Sequence, residues 1–233
     1  MQNAAEVIAR LKSIGDPDNV AFKAKKFGIH ADQALGVFLK DLNAVAKELG
    51  KNNALALELF ETGYQEARIL CSKIYRPQDI TSELMEYWVS TFDNWEICDS
   101  FSMRFFASSP FAMEKLLDWT QREAEFEKRA GFVIMAAYSS AHKKAANEVF
   151  EDFFPIIKRE AHDPRIYVKK AVNWALRSIG KRNIDLHQAS ILVGRDLLSR
   201  PEASAQWIAK DALRELEGPK PNILGYPRAI YRR

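Results

Sequence analysis

The chain has 233 residues, 47% of them apolar and 28% charged, a balance that suits a folded protein with a sizeable core and excludes disorder. The net charge is only +3, because 34 basic residues nearly balance 31 acidic ones. Overall charge therefore does not predict a nucleic-acid partner, and binding to a polyanion would depend on where the cations lie.

Several classes of protein are excluded by what the sequence lacks. The longest apolar run, 132–138, is too short to cross a bilayer, and Glu6 and Arg10 within the first helix argue against a signal peptide. Cys71 and Cys98 lie in helical apolar patterns typical of reduced, buried thiols, and the four histidines show no ligand spacing for a metal. The sequence has no glycine-rich phosphate-binding loop, as an ATPase would need, and no Ser, His and Asp in the order of a hydrolase triad. We expect a cytoplasmic monomer without metal or cofactor.

Nearly every segment has the periodicity of an amphipathic helix, and none alternates apolar and polar residues as strands do. The segment before Phe27 is predicted as a loop and a short turn, and Pro155 is expected to kink its helix. The sequence thus predicts an all-α protein with helices over 3–14, 32–49, 53–62, 64–75, 81–91, 94–106, 111–120, 124–141, 146–161, 164–180, 184–199 and 202–216.

Adjacent helices are joined by a few residues, and pair follows pair at roughly forty residues, the scale of HEAT-like repeats. We therefore predict a HEAT-like solenoid of stacked antiparallel helix pairs, forming a single domain over 1–218. A Pro-containing basic tail over 219–233 either packs back on the domain or forms a mobile arm. A weak internal repeat supports this organisation, because one three-and-four spacing recurs in Trp174, Arg177, Lys181 and in Trp207, Lys210, Arg214.

The helix 164–180 carries a tryptophan on its polar face. Its apolar stripe consists of Val168, Val172, Ala175 and Ile179. Trp174 lies on the opposite arc, beside the cations Lys170, Arg177 and Lys181. Two interpretations stay open at this point: a solvated charged face covered by a tryptophan, or a surface whose cations contact phosphates.

The helix 94–106 has a similar arrangement. Its apolar stripe consists of Ile97, Phe101 and Phe105, whereas Trp95 and Asp99 share the far side. Asp93 is predicted to cap this helix, so the cap does not need Asp99. Trp95 could be tucked between repeats with Asp99 solvated, but the facing favours a functional role for both residues.

Arg129 lies near Val133 and Ala136 on a helix that is apolar almost all round. A buried arginine needs partners, so pairing with a carboxylate and contact with a ligand both stay open. In stacked helix pairs the second helices form the concave side. We therefore predict one concave groove that carries the second helices' aromatic and charged residues, namely Trp95, Asp99, Arg129, Trp174, Arg177, Lys181 and Trp207.

Three segments in this order, 92–99 (FDNWEICD), 127–132 (EKRAGF) and 168–177 (VKKAVNWALR), resemble the AlkD-like family of DNA alkylation-repair proteins. The likeness runs from about Phe27 to Leu216. It implies an all-helical HEAT-like solenoid curved around duplex DNA. It also implies a monofunctional DNA glycosylase that removes bases carrying cationic N3- or N7-alkyl groups, and a protein found at the nucleoid when bound to DNA.

The resemblance also implies roles for individual residues. Trp95 and Trp174 match the two aromatics that lie against the damaged nucleotide's backbone, and Asp99 matches the catalytic carboxylate. Arg129 matches a phosphate-contacting arginine. Further DNA-contacting cations are expected at Lys170, Arg177 and Lys181.

The sequence departs from the family pattern at two places. Ala137 stands where family enzymes hold a lysine, and the N-terminal tyrosine of the aromatic cleft has no counterpart, since Phe22 is nearby but out of register. Two functions are therefore carried forward: a glycosylase for alkylated duplex DNA, and a non-catalytic HEAT-like module that binds distorted or damaged DNA or, as a lesser alternative, a protein partner. Asp99 favours the enzyme, because a carboxylate that faces a polyanion would not help a module that only binds DNA.

Overall fold

The computed structural model describes residues 3–142 and 144–219, so the predicted tail lies outside the described residues except for its first residue. Regular structure in these residues is helical throughout, which confirms the all-α prediction. The α-helices, numbered α1 to α14, span Ala4–Ile14, Pro17–Phe27, Leu39–Leu49, Asn53–Glu61, Gln65–Ile74, Ser82–Ser90, Trp95–Ser102, Ala112–Trp119, Glu125–Ala141, Asn147–Glu151, Phe153–Glu160, Ile166–Gly180, Ile184–Leu198 and Ala203–Leu216. Short 3-10 helices cover Pro77–Asp79 and Phe106–Ser108.

The chain divides into two compact units, Met1–Phe101 and Ser102–Arg233. We refer to them as unit 1 and unit 2. Each buries large apolar side chains completely: Leu11, Leu42, Leu59, Ile69, Leu70 and Trp88 in unit 1, and Trp119, Phe132, Phe150 and Phe153 in unit 2. Each unit therefore has an apolar core of its own, and the single domain over 1–218 stays a prediction.

The loop and short turn predicted before Phe27 are wrong, because helix α2 occupies that segment. Asp16 caps the helix, since its side chain accepts the backbone N–H of Asp18 at 2.9 Å, and Pro17 occupies the first helical position. Gly28 ends the helix in the left-handed conformation, with φ of 64°. The start and stop signals were present in the sequence, but the charged composition of the helix concealed its periodicity.

The predicted helix 32–49 begins only at Leu39. The three preceding backbone N–H groups of residues 35–37 donate instead to the buried carboxylate of Glu66, at 2.8 to 3.3 Å. Gly36 has φ of 75°, and a Cβ there would lie 2.0 Å from the backbone oxygen of Asp16. A long-range carboxylate and a close backbone contact thus replace the first helical turns.

The predicted helix 146–161 is divided in two. Helix α10 ends at Glu151 and α11 begins at Phe153, with Asp152 between them. Pro155 is the third residue of α11, where its missing N–H costs no hydrogen bond within the helix. The proline thus lies near the start of a new helix and does not kink a continuous one.

Unit 2 is held together by hydrogen bonds between elements that lie about one repeat apart. Arg129 on α9 donates to the backbone oxygen of Tyr167, 38 residues later. Asn173 on α12 donates to the backbone oxygen of Ile208, 35 residues later. Helix α9 packs on α12, and α12 packs on α14, so helices that are about one repeat apart in the chain lie side by side. This is the contact pattern of stacked helical pairs.

A charged cluster lies inside unit 2. The ammonium of Lys128 is 2.8 Å from Glu160 and 3.5 Å from Asp163, and all three side chains are buried. Burial alone would raise the pKa of Glu160, but hydrogen bonds from Arg159 and Lys128 outweigh it and lower that pKa. The carboxylate is therefore ionised in the fold and compensates a lysine that has little access to water.

We predict that Glu160→Gln lowers the free energy of unfolding by about 3 kcal/mol, because it leaves Lys128 buried with one of its two carboxylates removed. Urea unfolding measures the loss. The matched control is Glu217→Gln, which breaks the exposed pair with Arg195 and should cost less than about 1 kcal/mol. Equal losses in the two variants would contradict a structural role for the buried cluster.

Candidate functional site

Helix α7 begins at a side-chain cap. The Oδ1 atom of Asn94 accepts the backbone N–H of Glu96 at 3.0 Å and that of Ile97 at 3.1 Å. The predicted cap, Asp93, is wrong by one residue: its side chain is exposed and lies 3.8 Å from Arg68. Helix α7 is thus fixed at the residue before Trp95.

The cap is itself held by neighbouring helices. Gln65, the first residue of α5, exchanges amide hydrogen bonds with Asn94 at 3.2 and 3.3 Å. Glu96 accepts a hydrogen bond from the ammonium of Lys23 at 2.9 Å, and Lys23 is the buried residue of α2. The first turn of α7 is therefore attached to two other helices of unit 1 through polar groups shielded from water.

Trp95 and Asp99 lie on the side of α7 that the sequence pattern indicated. Ile97 and Phe101 are fully buried, whereas Trp95 and Asp99 are half-exposed. The indole N–H of Trp95 donates to the backbone oxygen of Phe27 at 2.9 Å, which fixes the ring against the end of α2. An accessible carboxylate thus lies one helical turn from an anchored aromatic ring.

Helix α12 arranges its residues in the same manner. The stripe of Val168, Val172, Ala175 and Ile179 is fully buried. Trp174 is half-exposed and Lys170 is exposed. The arc opposite the core therefore presents an aromatic ring next to cations, as predicted from the spacing.

Arg177 of α12 and Lys181, the residue that follows this helix, are both paired with one carboxylate on α14. Glu215 accepts a hydrogen bond from Arg177 and lies 2.7 Å from the ammonium of Lys181. Burial alone would raise the pKa of Glu215, but hydrogen bonds from Lys181 and Arg177 outweigh it and lower that pKa. The sequence did not indicate this partner, which is 38 residues from Arg177.

Arg129 is 6% exposed and donates to the backbone oxygen of Tyr167 at 2.7 Å. Its guanidinium also lies 6.0 Å from the centre of the Tyr167 ring. Gly131, two residues later, lets α9 approach the end of α8, because a Cβ there would lie 2.7 Å from the backbone nitrogen of Thr120. Arg129 is thus held on a helix whose position depends on that close contact.

A polar cleft of about 290 Å³ opens in unit 2 beside Trp174 and Lys181. Ala137 lies in the wall of this cleft. The resemblance implies a lysine at this position, and the short alanine side chain leaves the cleft open beside it. Arg104 and Arg182 also line it, together with three serines. Sequence reasoning missed both arginines, although Arg104 is the single charged residue between Asp99 and Glu114.

The predicted site residues fall into two groups. Unit 1 contains Trp95 and Asp99 on α7, and unit 2 contains Arg129 on α9 with Trp174 and the cations of α12. Each group is brought together within its own unit. One concave groove through both groups stays a prediction, as do the roles of the individual residues.

Two general features of the described residues bear on chemistry. No group of three or more His, Cys, Asp or Glu side chains in residues 3–142 and 144–219 is placed to hold a metal ion. No helix in the same residues is long and apolar enough to span a membrane. Cys71 and Cys98 are both buried thiols, and burial raises the pKa of Cys71.

The chain resembles a solved structure described as a new family of proteins related to the HEAT-like repeat DNA glycosylases, with affinity for branched DNA structures. The TM-score is 0.74 at 18% sequence identity, and the match covers 92% of this chain and 95% of the other. A likeness at this identity shows the fold. The chain therefore has the HEAT-like helical-repeat fold predicted from its sequence.

The sequence itself defines the family. Residues 7–216 match the family model described as DNA alkylation repair enzyme. The match spans most of the chain, and the chain belongs to the DNA alkylation repair enzyme family. No curated protein sequence matches the chain significantly.

We predict that Trp174→Ala lowers the free energy of unfolding by much less than Trp119→Ala. Trp119 is fully buried in unit 2, and truncating such a residue costs about 3–5 kcal/mol. Trp174 is half-exposed, so its removal leaves no closed cavity. Urea unfolding of both variants measures the difference, and equal losses would show that Trp174 belongs to the core.

Proposed function

We propose that this protein is a monofunctional DNA glycosylase that excises purines carrying a cationic N3- or N7-alkyl group from duplex DNA. The observation that carries the proposal is the half-exposed carboxylate of Asp99, one turn after an anchored tryptophan, in a chain of the DNA alkylation repair enzyme family.

The chemistry suits a single carboxylate. An alkylated purine already bears a positive charge, so it leaves as a neutral base without a strong general acid. The glycosidic electron pair departs with the base, and positive charge develops on the sugar as in glycoside hydrolysis. Asp99 would stabilise that charge and orient the water that adds to the sugar carbon and releases a proton to solvent. Trp95, one turn before Asp99 on the same helix, would add a π contact to the cationic sugar.

The cations support duplex DNA as the partner. Lys170 is exposed, and Arg177 and Lys181 each keep about a quarter of their side-chain surface accessible while paired to Glu215. A DNA phosphate that binds these two cations would therefore have to compete with Glu215 for them. Arg129 is 6% exposed, so a phosphate would contact only the small part of its side chain that solvent reaches.

A second function is supported by a specific observation. The solved structure that the chain resembles has affinity for branched DNA, and Ala137 leaves a cleft where family enzymes hold a lysine. The alternative is therefore a non-catalytic module that binds distorted or branched DNA. Release of free 7-methylguanine from methylated duplex by the purified protein separates the two functions, since the module would bind and release nothing.

We predict that Asp99→Asn lowers the single-turnover rate of 7-methylguanine release by about 10²–10³, because it removes the charge that faces the developing cation. DNA affinity should stay equal or rise slightly, since a carboxylate near phosphates repels them. Asp185→Asn, on the exposed start of α13, is the matched control and should retain full activity. A fully active Asp99→Asn variant would place the chemistry elsewhere.

We predict that Lys181→Ala and Arg177→Ala each flatten the dependence of log affinity on log salt by about 0.9, the value for one phosphate contact on duplex DNA. Arg195→Ala is the control, because Arg195 lies on α13 and pairs with Glu217. Fluorescence anisotropy titrations between low and moderate salt measure the slopes. An unchanged slope in both test variants would remove these cations from the DNA contact.

A further inference from the structure

Helix α2 presents two phenyl rings to solvent. Phe22 and Phe27 are each 43% exposed, and their rings meet edge to face with centres 5.7 Å apart. The ammonium of Lys26 lies 5.0 Å from one ring centre and 5.5 Å from the other, and Lys25 beside it is exposed. We call these four residues the Phe22–Phe27 surface.

The fold does not require this arrangement. Lys23 is the buried residue of this 11-residue helix, and it anchors α2 through its ion pair with Glu96. Asn19 adds a hydrogen bond to the backbone oxygen of Gly36 at 3.1 Å. The helix is thus attached by polar contacts, while its largest apolar side chains face outward. Clustered exposed aromatic rings usually mark a binding surface.

The Phe22–Phe27 surface adjoins the candidate site. The backbone oxygen of Phe27 accepts the indole N–H of Trp95, so the last residue of α2 and the anchored tryptophan are in direct contact. A DNA strand that contacts Trp95 would therefore lie close to the end of α2. This continuity indicates the same ligand for both.

We propose that the Phe22–Phe27 surface binds an unpaired nucleobase of the DNA strand, with Lys25 and Lys26 at the neighbouring phosphates. The proposal rests on the proposed function for its DNA partner and adds a preference for unpaired bases. Aromatic rings next to lysines match the two parts of a nucleotide, because a base offers a flat face and its phosphate offers negative charge. A paired base has both faces covered and cannot use the rings.

The strengths of the two interactions decide which one prevails at the rings. Removing the aromatic ring that a base stacks on weakens binding roughly 5- to 150-fold, whereas an exposed lysine over a ring contributes roughly two- to fivefold. A base would therefore displace the ammonium of Lys26 from the ring faces. The flexible lysine side chain would then be available to a phosphate.

The test uses the full-length protein and two DNAs of equal length, an intact duplex and a fork with 2-aminopurine as its first unpaired base. We expect the wild type to quench the 2-aminopurine fluorescence and Phe22→Ala/Phe27→Ala not to. The double variant should bind the fork roughly 5- to 150-fold more weakly and the intact duplex within about twofold of the wild type. Leu57→Ala, at 40% exposure in unit 1, is the matched control and should leave both affinities unchanged.

Three outcomes would overturn the proposal. These are an absence of quenching by the wild type, an equal loss on both DNAs, and dimerisation of the wild type through the rings, seen as a concentration-dependent mass that the double variant lacks. Thermal unfolding checks that the double variant is folded, as expected for exposed positions. Release of 7-methylguanine from intact duplex is measured separately. Quenching without release would reject the proposed glycosylase function and support base binding by the Phe22–Phe27 surface.

Discussion

One amide side chain determines how helix α7 begins, and the candidate site depends on it. Asn94 accepts two backbone N–H groups that would otherwise be left without partners at the helix start, and Gln65 holds the amide in place from another helix. The first turn of α7 can then point Trp95 and Asp99 away from the core. Without this cap, the backbone N–H groups of Glu96 and Ile97 would lose their partners, and the turn that carries Trp95 would be held less firmly.

The cations of unit 2 illustrate a different constraint. Arg177 in the last turn of α12 and Lys181, the residue that follows this helix, are four residues apart, so without a partner they would repel one another. Glu215 removes that repulsion and orders both side chains through charge-assisted hydrogen bonds. An anion that binds Arg177 and Lys181 must therefore compete with Glu215, which already accepts their hydrogen bonds.

The sequence predicted what depends on local periodicity. The all-α class, the apolar stripe of α12 and the outward facing of Trp95 follow from a pattern that repeats every 3.6 residues. It could not predict features that depend on a distant partner. The irregular segment before Leu39 exists because Glu66, some thirty residues later, accepts its backbone N–H groups. The pairing of Lys181 with Glu215 was hidden for the same reason, and so was the cleft that Arg104 lines.

The stacked arrangement of unit 2 has a consequence for how the protein folds. Its long-range hydrogen bonds close loops of similar length, 38 residues between Arg129 and Tyr167 and 35 between Asn173 and Ile208. Loop-closure entropy is then nearly the same for each addition, and each helix can dock once its neighbour is in place. Folding therefore propagates along the chain from any formed pair.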